Sequence, residues 1–126
     1  YPVIRKRKMP ILSRDEIFAT EDVKTEIVPV PEWGGDVRIR GLSAEKRDEW
    51  DSSFETDSAG KFVPQCMKNV RARLVSMCAV DENGKPLFQP SDVAKLGEKS
   101  ASALVRLHDA CRRLSGMDLE AVEKNS

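Results

Sequence analysis

His108 is the only histidine in the 126-residue chain, and Cys111 follows it by three positions, a spacing that makes the two neighbours on one helix face. Such a pair could in principle activate a thiolate nucleophile, but neither an orienting group nor an oxyanion site is in view, so two packed residues are expected instead. A single histidine also excludes a three-histidine zinc site. Cys66, Cys78 and Cys111 are odd in number and widely spaced, which fits neither a disulfide framework nor a zinc-ligand pattern. Asp81-Glu82-Asn83-Gly84 begins like a calcium loop, which needs oxygen ligands at alternating positions and a distant Glu; Lys85 and Pro86 end the similarity and leave a tight turn. Gly34-Gly35 has no following Lys-Ser or Lys-Thr and is not a phosphate loop. The carboxylates are spread over polar faces, with no pair singled out for acid–base work. No catalytic, cofactor-binding or metal-binding residue is assigned, and an enzyme is not expected.

What remains is surface for partners. Trp33, Trp50 and Phe54 are large apolar groups in otherwise polar stretches, and residues of that kind either fold back onto the core or anchor an interface. Of these, Trp50 and Phe54 lean toward the core. The three together are the candidate partner-binding residues.

The elements that position them come from one domain, since a chain of this length buries roughly two-thirds of its unfolded surface around a single core. Its 33% charged and 40% hydrophobic residues suit a soluble globular protein, and no apolar run approaches the roughly 18 residues of a membrane span. The 21 Lys and Arg cancel the 21 Asp and Glu, but four of the positives are Arg5, Lys6, Arg7 and Lys8, so the remainder carries about −4. A mildly acidic body gives little reason to expect nucleic acid as a partner. Residues 1–8 are set aside as a disordered leader or expression remnant, and residues 9–126 are expected to form the domain; without a secretory h-region the default compartment is cytoplasmic.

Ser13-Arg14-Asp15-Glu16 fits a capping box and opens a short helix that ends near Thr20. Val23, Thr25 and Ile27 share one face of a strand, and Val37 and Ile39 alternate with Arg38 and Arg40 in a second. Between them, Gly34-Gly35 supplies the positive φ of a hairpin turn, and Pro29 and Pro31 mark an edge strand. A polar helix over residues 44–55 follows Ser43. Met67, Val70, Leu74, Met77 and Cys78 predict an amphipathic helix over residues 65–80 with Arg71 and Arg73 on its polar side. A short helix starts at Pro90 and is closed by Gly97. A last long helix over residues 98–114 carries Leu104, Leu107, His108, Cys111 and Leu114 inward, and Asp118 caps a final turn. The expected fold class is α+β: an N-terminal short helix and β-hairpin packed on a mainly helical C-terminal part.

Three segments carry a resemblance: Met9-Pro10-Ile11-Leu12-Ser13-Arg14-Asp15-Glu16-Ile17, then Asp22-Val23-Lys24-Thr25-Glu26, then Val30-Pro31-Glu32-Trp33-Gly34-Gly35-Asp36-Val37-Arg38-Ile39-Arg40-Gly41-Leu42. Downstream they continue in Arg71-Ala72-Arg73-Leu74-Val75 before Asp81-Glu82-Asn83-Gly84-Lys85, and in Leu96-Gly97-Glu98-Lys99-Ser100 before Arg112-Arg113-Leu114-Ser115-Gly116. As an ordered set these resemble the tail assembly chaperones of long-tailed bacteriophages and prophages, over roughly residues 9–126. The resemblance implies a non-catalytic protein that binds the hydrophobic helical tape measure protein in the host bacterial cytoplasm, keeps it soluble until the tail tube polymerises around it, and is absent from the mature virion. It also implies the tail-tube protein and a frameshifted longer form of the chain as further candidate partners; a homo-oligomer is left open, since the sequence does not fix the oligomeric state. The rival readings are a small nucleic-acid-binding protein, motivated by residues 5–8 with Arg71, Arg73, Arg112 and Arg113, and a structural phage tail protein.

Overall fold

The computed structural model describes residues 9–117; the basic run at residues 5–8 and the turn expected at Asp118 lie outside the described residues. In chain order the elements are α1 (Arg14–Ala19), β1 (Thr25–Val30), a 3-10 turn (Pro31–Trp33), β2 (Gly35–Arg40), α2 (Ala44–Ser52), α3 (Pro64–Met67), α4 (Val70–Cys78), β3 (Ala79–Val80), a second 3-10 turn (Pro90–Asp92), α5 (Val93–Leu96) and α6 (Ala101–Leu114). The class is α+β, as expected.

Helix α1 carries the capping box: the Glu16 amide donates to Ser13 Oγ at 3.2 Å and the Ser13 amide to Glu16 Oε1 at 2.8 Å. None of its residues is buried. The hairpin pairs β1 with β2 antiparallel, Val28 opposite Val37 and Glu26 opposite Ile39, and Gly34 closes the turn at φ +78°. Gly35, by contrast, does not take a positive φ; the single left-handed residue suffices because Pro31–Trp33 already form a turn of 3-10 helix. Strand β1 is one edge of the sheet, where Pro29 and its missing N–H are tolerated.

Two corrections concern this sheet. The inward residues of β1 are Val28 and Val30, whereas Ile27 is 48% exposed, so the face of Val23, Thr25 and Ile27 is not the core face. Register decides this: Val28 lies opposite Val37, whose buried side shares the core with Ile39. The sheet also has a third strand, since Ala79–Val80 pairs with Ile39 and Arg38 of β2.

The helix predicted over residues 65–80 is divided. Lys68 is extended and Asn69 is left-handed at φ 55°, a conformation that Asn tolerates better than most residues, so α3 stops and α4 begins at Val70. Beyond Cys78 the chain leaves the helix to enter β3. Helix α2 ends at Ser52 rather than residue 55, and α6 begins at Ala101, where Ser100 Oγ accepts the Ala103 amide, rather than at residue 98.

Helix α6 buries Ala103, Leu104, Leu107, Ala110 and Cys111, one stripe at helical spacing, against α4 and the inner face of β1 and β2. Two ion pairs pin its outer side to the hairpin. Arg113 grips Glu26 at 2.7 and 3.0 Å, and Arg106 grips Glu32 at 2.8 and 3.0 Å, with Ser102 Oγ donating to Glu32 at 2.9 Å. The Arg106 guanidinium, with smaller help from backbone and Ser102 hydrogen bonds, holds the Glu32 carboxyl down to about 2. A depressed folded-state pKa contributes stability that is complete above the ordinary carboxylate range and lost as pH falls from about 4.5 toward 2. The pair is solvent-screened, so its share is modest. The thermal midpoint should therefore fall less steeply between pH 5 and about 2.5 in Glu32→Gln than in the parent chain, and parallel acid slopes would remove this pair from the account.

Candidate functional site

The candidate partner residues lie in two settings. Trp33 ends the hairpin's 3-10 turn and rests half-buried against the core. Trp50, on α2, is only 6% exposed and joins the core cluster, while Phe54 just beyond α2 packs half-buried against it. Their rings meet edge to face, centroids 4.9 Å apart at 84°, and Phe62 continues the aromatic row 5.5 Å from Phe54. Phe62 is more than half exposed, and Met67 on α3 is also exposed.

Residues that the sequence pattern left unassigned complete the site. Arg73 does not sit on a polar face as predicted. Its guanidinium lies 5.4 Å from the centroids of both Trp50 and Phe54, and its Nη2 donates to the Cys66 carbonyl. It is itself half-buried between the buried Ala72 and Leu74, and its long side chain swings over the aromatics, a freedom that helical spacing alone does not reveal. Around this cluster open two grooves. The larger, about 430 Å³, is lined by Trp50, Arg73, Met77 and Val93 among others, with Glu49 at its rim. The smaller, about 250 Å³, lies between Trp50, Phe54, Met67, Val70 and the α6 residues His108 and Arg112. Neither needs Trp33, which the structure keeps at the hairpin.

The residues weighed for chemistry separate. Cys111 is fully buried, and the neighbouring Cys78 thiol of α4, together with burial, pushes its thiol well above the ordinary range and away from thiolate chemistry. Burial pushes the half-buried His108 imidazole below its usual value, while Asp109, 3.7 Å away, pulls the other way. Asp81 Oδ1 accepts the amides of Asn83 and Lys85 at 2.8 and 3.0 Å, which makes residues 81–85 a side-chain-braced turn. Among the described residues no group of three His, Cys, Asp or Glu is placed to hold a metal ion, and no helix is long and apolar enough to cross a membrane. Of the arginines that suggested nucleic acid, Arg113 is taken by Glu26, Arg73 lies over the aromatics, and Arg112 donates to the Met117 carbonyl at 3.1 Å.

A second apolar surface lies at the N-terminal end of the described chain. Ile11 is 98% and Phe18 73% exposed, and Met9, Leu12 and Ile17 are exposed with them.

Residues 8–125 match a family model described as phage tail assembly chaperone. No curated protein sequence matches the chain. Among solved structures, the bacteriophage HK97 tail assembly chaperone superposes with a TM-score of 0.56 at 21% sequence identity, covering 77% of this chain and 92% of that one, a likeness of fold.

Proposed function

The chain belongs to the phage tail assembly chaperone family, and from that membership we propose that it binds the tape measure protein without catalysing a reaction, keeping that long hydrophobic helix soluble in the host cytoplasm until tail-tube subunits polymerise around it. The family match over residues 8–125 carries this reading. The physical logic is that a helix exposing apolar stripes aggregates unless something covers them. Many copies bound weakly along one client would hold it through multivalency, and growing tube would displace them without nucleotide hydrolysis. Residues 9–126 act as the unit.

The client contacts proposed are Trp50 and Phe54, through the grooves they border, and Trp33 at the hairpin. Exposed Phe62 and Met67 extend the first of these surfaces, which supports it as a docking face. Phe54→Ala, removing a half-buried ring, separates docking from folding better than Trp50→Ala, which opens the core.

A chaperone leaves the finished particle, whereas a tail structural component stays. Mass spectrometry of purified virions should find this chain absent at the level of one copy per tail, although a strain lacking it makes no tails. Stoichiometric presence would move the protein to the structural class.

A further inference from the structure

Arg73 differs in situation from Arg106 and Arg113 of α6. Arg106 and Arg113 each meet a carboxylate with paired hydrogen bonds. Arg73 is half-buried, its Nη2 is spent on a neutral carbonyl, its Nε is buried without a partner, and among the described residues no carboxylate forms an ion pair with it. The faces of Trp50 and Phe54 stabilise its charge in part. They cannot supply the anionic acceptor for which a guanidinium fork is shaped. This uncompensated cation lines the 430 Å³ groove, whose other walls include Trp50, Met77, Pro90 and Val93. The one carboxylate at that rim, Glu49, is exposed and lies 3.8 Å from Lys46.

A groove with apolar walls and an unpaired guanidinium fits a helical segment that presents a large apolar side chain with an Asp or Glu one turn away. We propose that this groove is the point at which the chain engages such acidic-apolar turns of its client helix, Arg73 taking the carboxylate while the apolar side chain fills the space between Trp50, Met77 and Val93. This rests on the tape measure reading above and adds to it a rule of sequence selectivity: bare apolar stripes are bound less well than stripes bordered by carboxylate.

The test uses the full chain and labelled peptides of about 20 residues, several helical turns each, tiled over the tape measure protein of the same genome. Fluorescence anisotropy ranks them. Peptides that bind should carry an Asp or Glu within a turn of a large apolar residue, and changing that acid to its amide should weaken binding about tenfold, as expected for loss of a charged hydrogen bond. Arg73→Met should abolish the difference between acid and amide peptides. Where Arg73→Met does not fold, Arg73→Lys, which loses the fork but keeps the charge, should retain part of the difference, and the acid-to-amide change on the parent protein stands by itself. Equal binding of acid and amide peptides overturns the proposal. So does concentration-dependent self-association that Arg73→Met destroys while peptide binding stays intact, because a second copy is then the occupant. Co-expression keeps the two readings apart: a client solubilised equally by the parent chain and by Arg73→Met leaves the chaperone function standing without this groove, whereas a client that neither solubilises defeats both.

Discussion

Leu107→Ala should cost about 3–5 kcal/mol, the upper range for a large-to-small change in a core that cannot collapse around the gap. Leu107 has no exposed surface, and it projects from the middle of α6, the helix that packs on α4 and on both strands of the hairpin. Removing its branched end leaves a cavity bounded by rigid elements on several sides, so little relaxation is available. Against a total stability of about 5–15 kcal/mol this is a large fraction, and the denaturant midpoint should fall by about a fifth or more with an unchanged slope. Val105 on the same helix is 38% exposed, and Val105→Ala should move the midpoint little. If the two variants were equally mild, α6 would not be the central packing element.

Gly41→Ala should be the next most damaging change, at about 2–3 kcal/mol, for the opposite reason: added volume. Gly41 follows β2, its amide donates to the Lys24 carbonyl at 2.9 Å, and the neighbouring Leu42 amide donates to Ser115 Oγ at 2.9 Å. The end of the hairpin is thereby drawn onto the C-terminus of α6. A Cβ on Gly41 would stand 2.5 Å from the Leu114 carbonyl oxygen and 2.9 Å from its carbon. Both are backbone atoms, and the last turn of α6 could give way only by loosening the Schellman-type closure in which the Gly116 and Met117 amides bond to the Arg113 and Arg112 carbonyls. Gly35 is the internal control. It has no positive φ and nothing within 4 Å of an added Cβ, so Gly35→Ala should be neutral in the same unfolding measurement.

Local chemistry was legible wherever a few adjacent residues settle the outcome. Ser13 with Glu16 makes its capping box, Gly34 closes its hairpin, Asp81 braces its turn, and the three- and four-residue spacing in α6 marks the buried stripe. What was not legible depends on partners distant in sequence. Strand β1 has apolar residues on both faces, and only the pairing of Val28 with Val37 selects the inward one. The apolar spacing over residues 65–80 runs straight through Asn69, whose left-handed backbone breaks the helix while its side chain rests against Gly97. The short β3 has no pattern of its own and exists because β2 offers it an edge. At the site, Trp50 and Phe54 stood out as aromatics in a polar stretch. The groove beside them draws Met77 from α4, Pro90 from the second 3-10 turn and Val93 from α5, and helical spacing, which places Arg73 on a polar face, cannot show a long side chain folding back over two rings.

The proposed interaction between this chain and the tape measure protein is measured most directly by co-expressing the two from the same phage genome. The fraction of tape measure protein in the soluble lysate should rise from near zero to a majority when the chain is present, and the two should co-purify through a tag on either one. A tape measure protein that stays insoluble beside abundant, folded chaperone, and remains so when the frameshifted longer form is supplied, would contradict the proposed function.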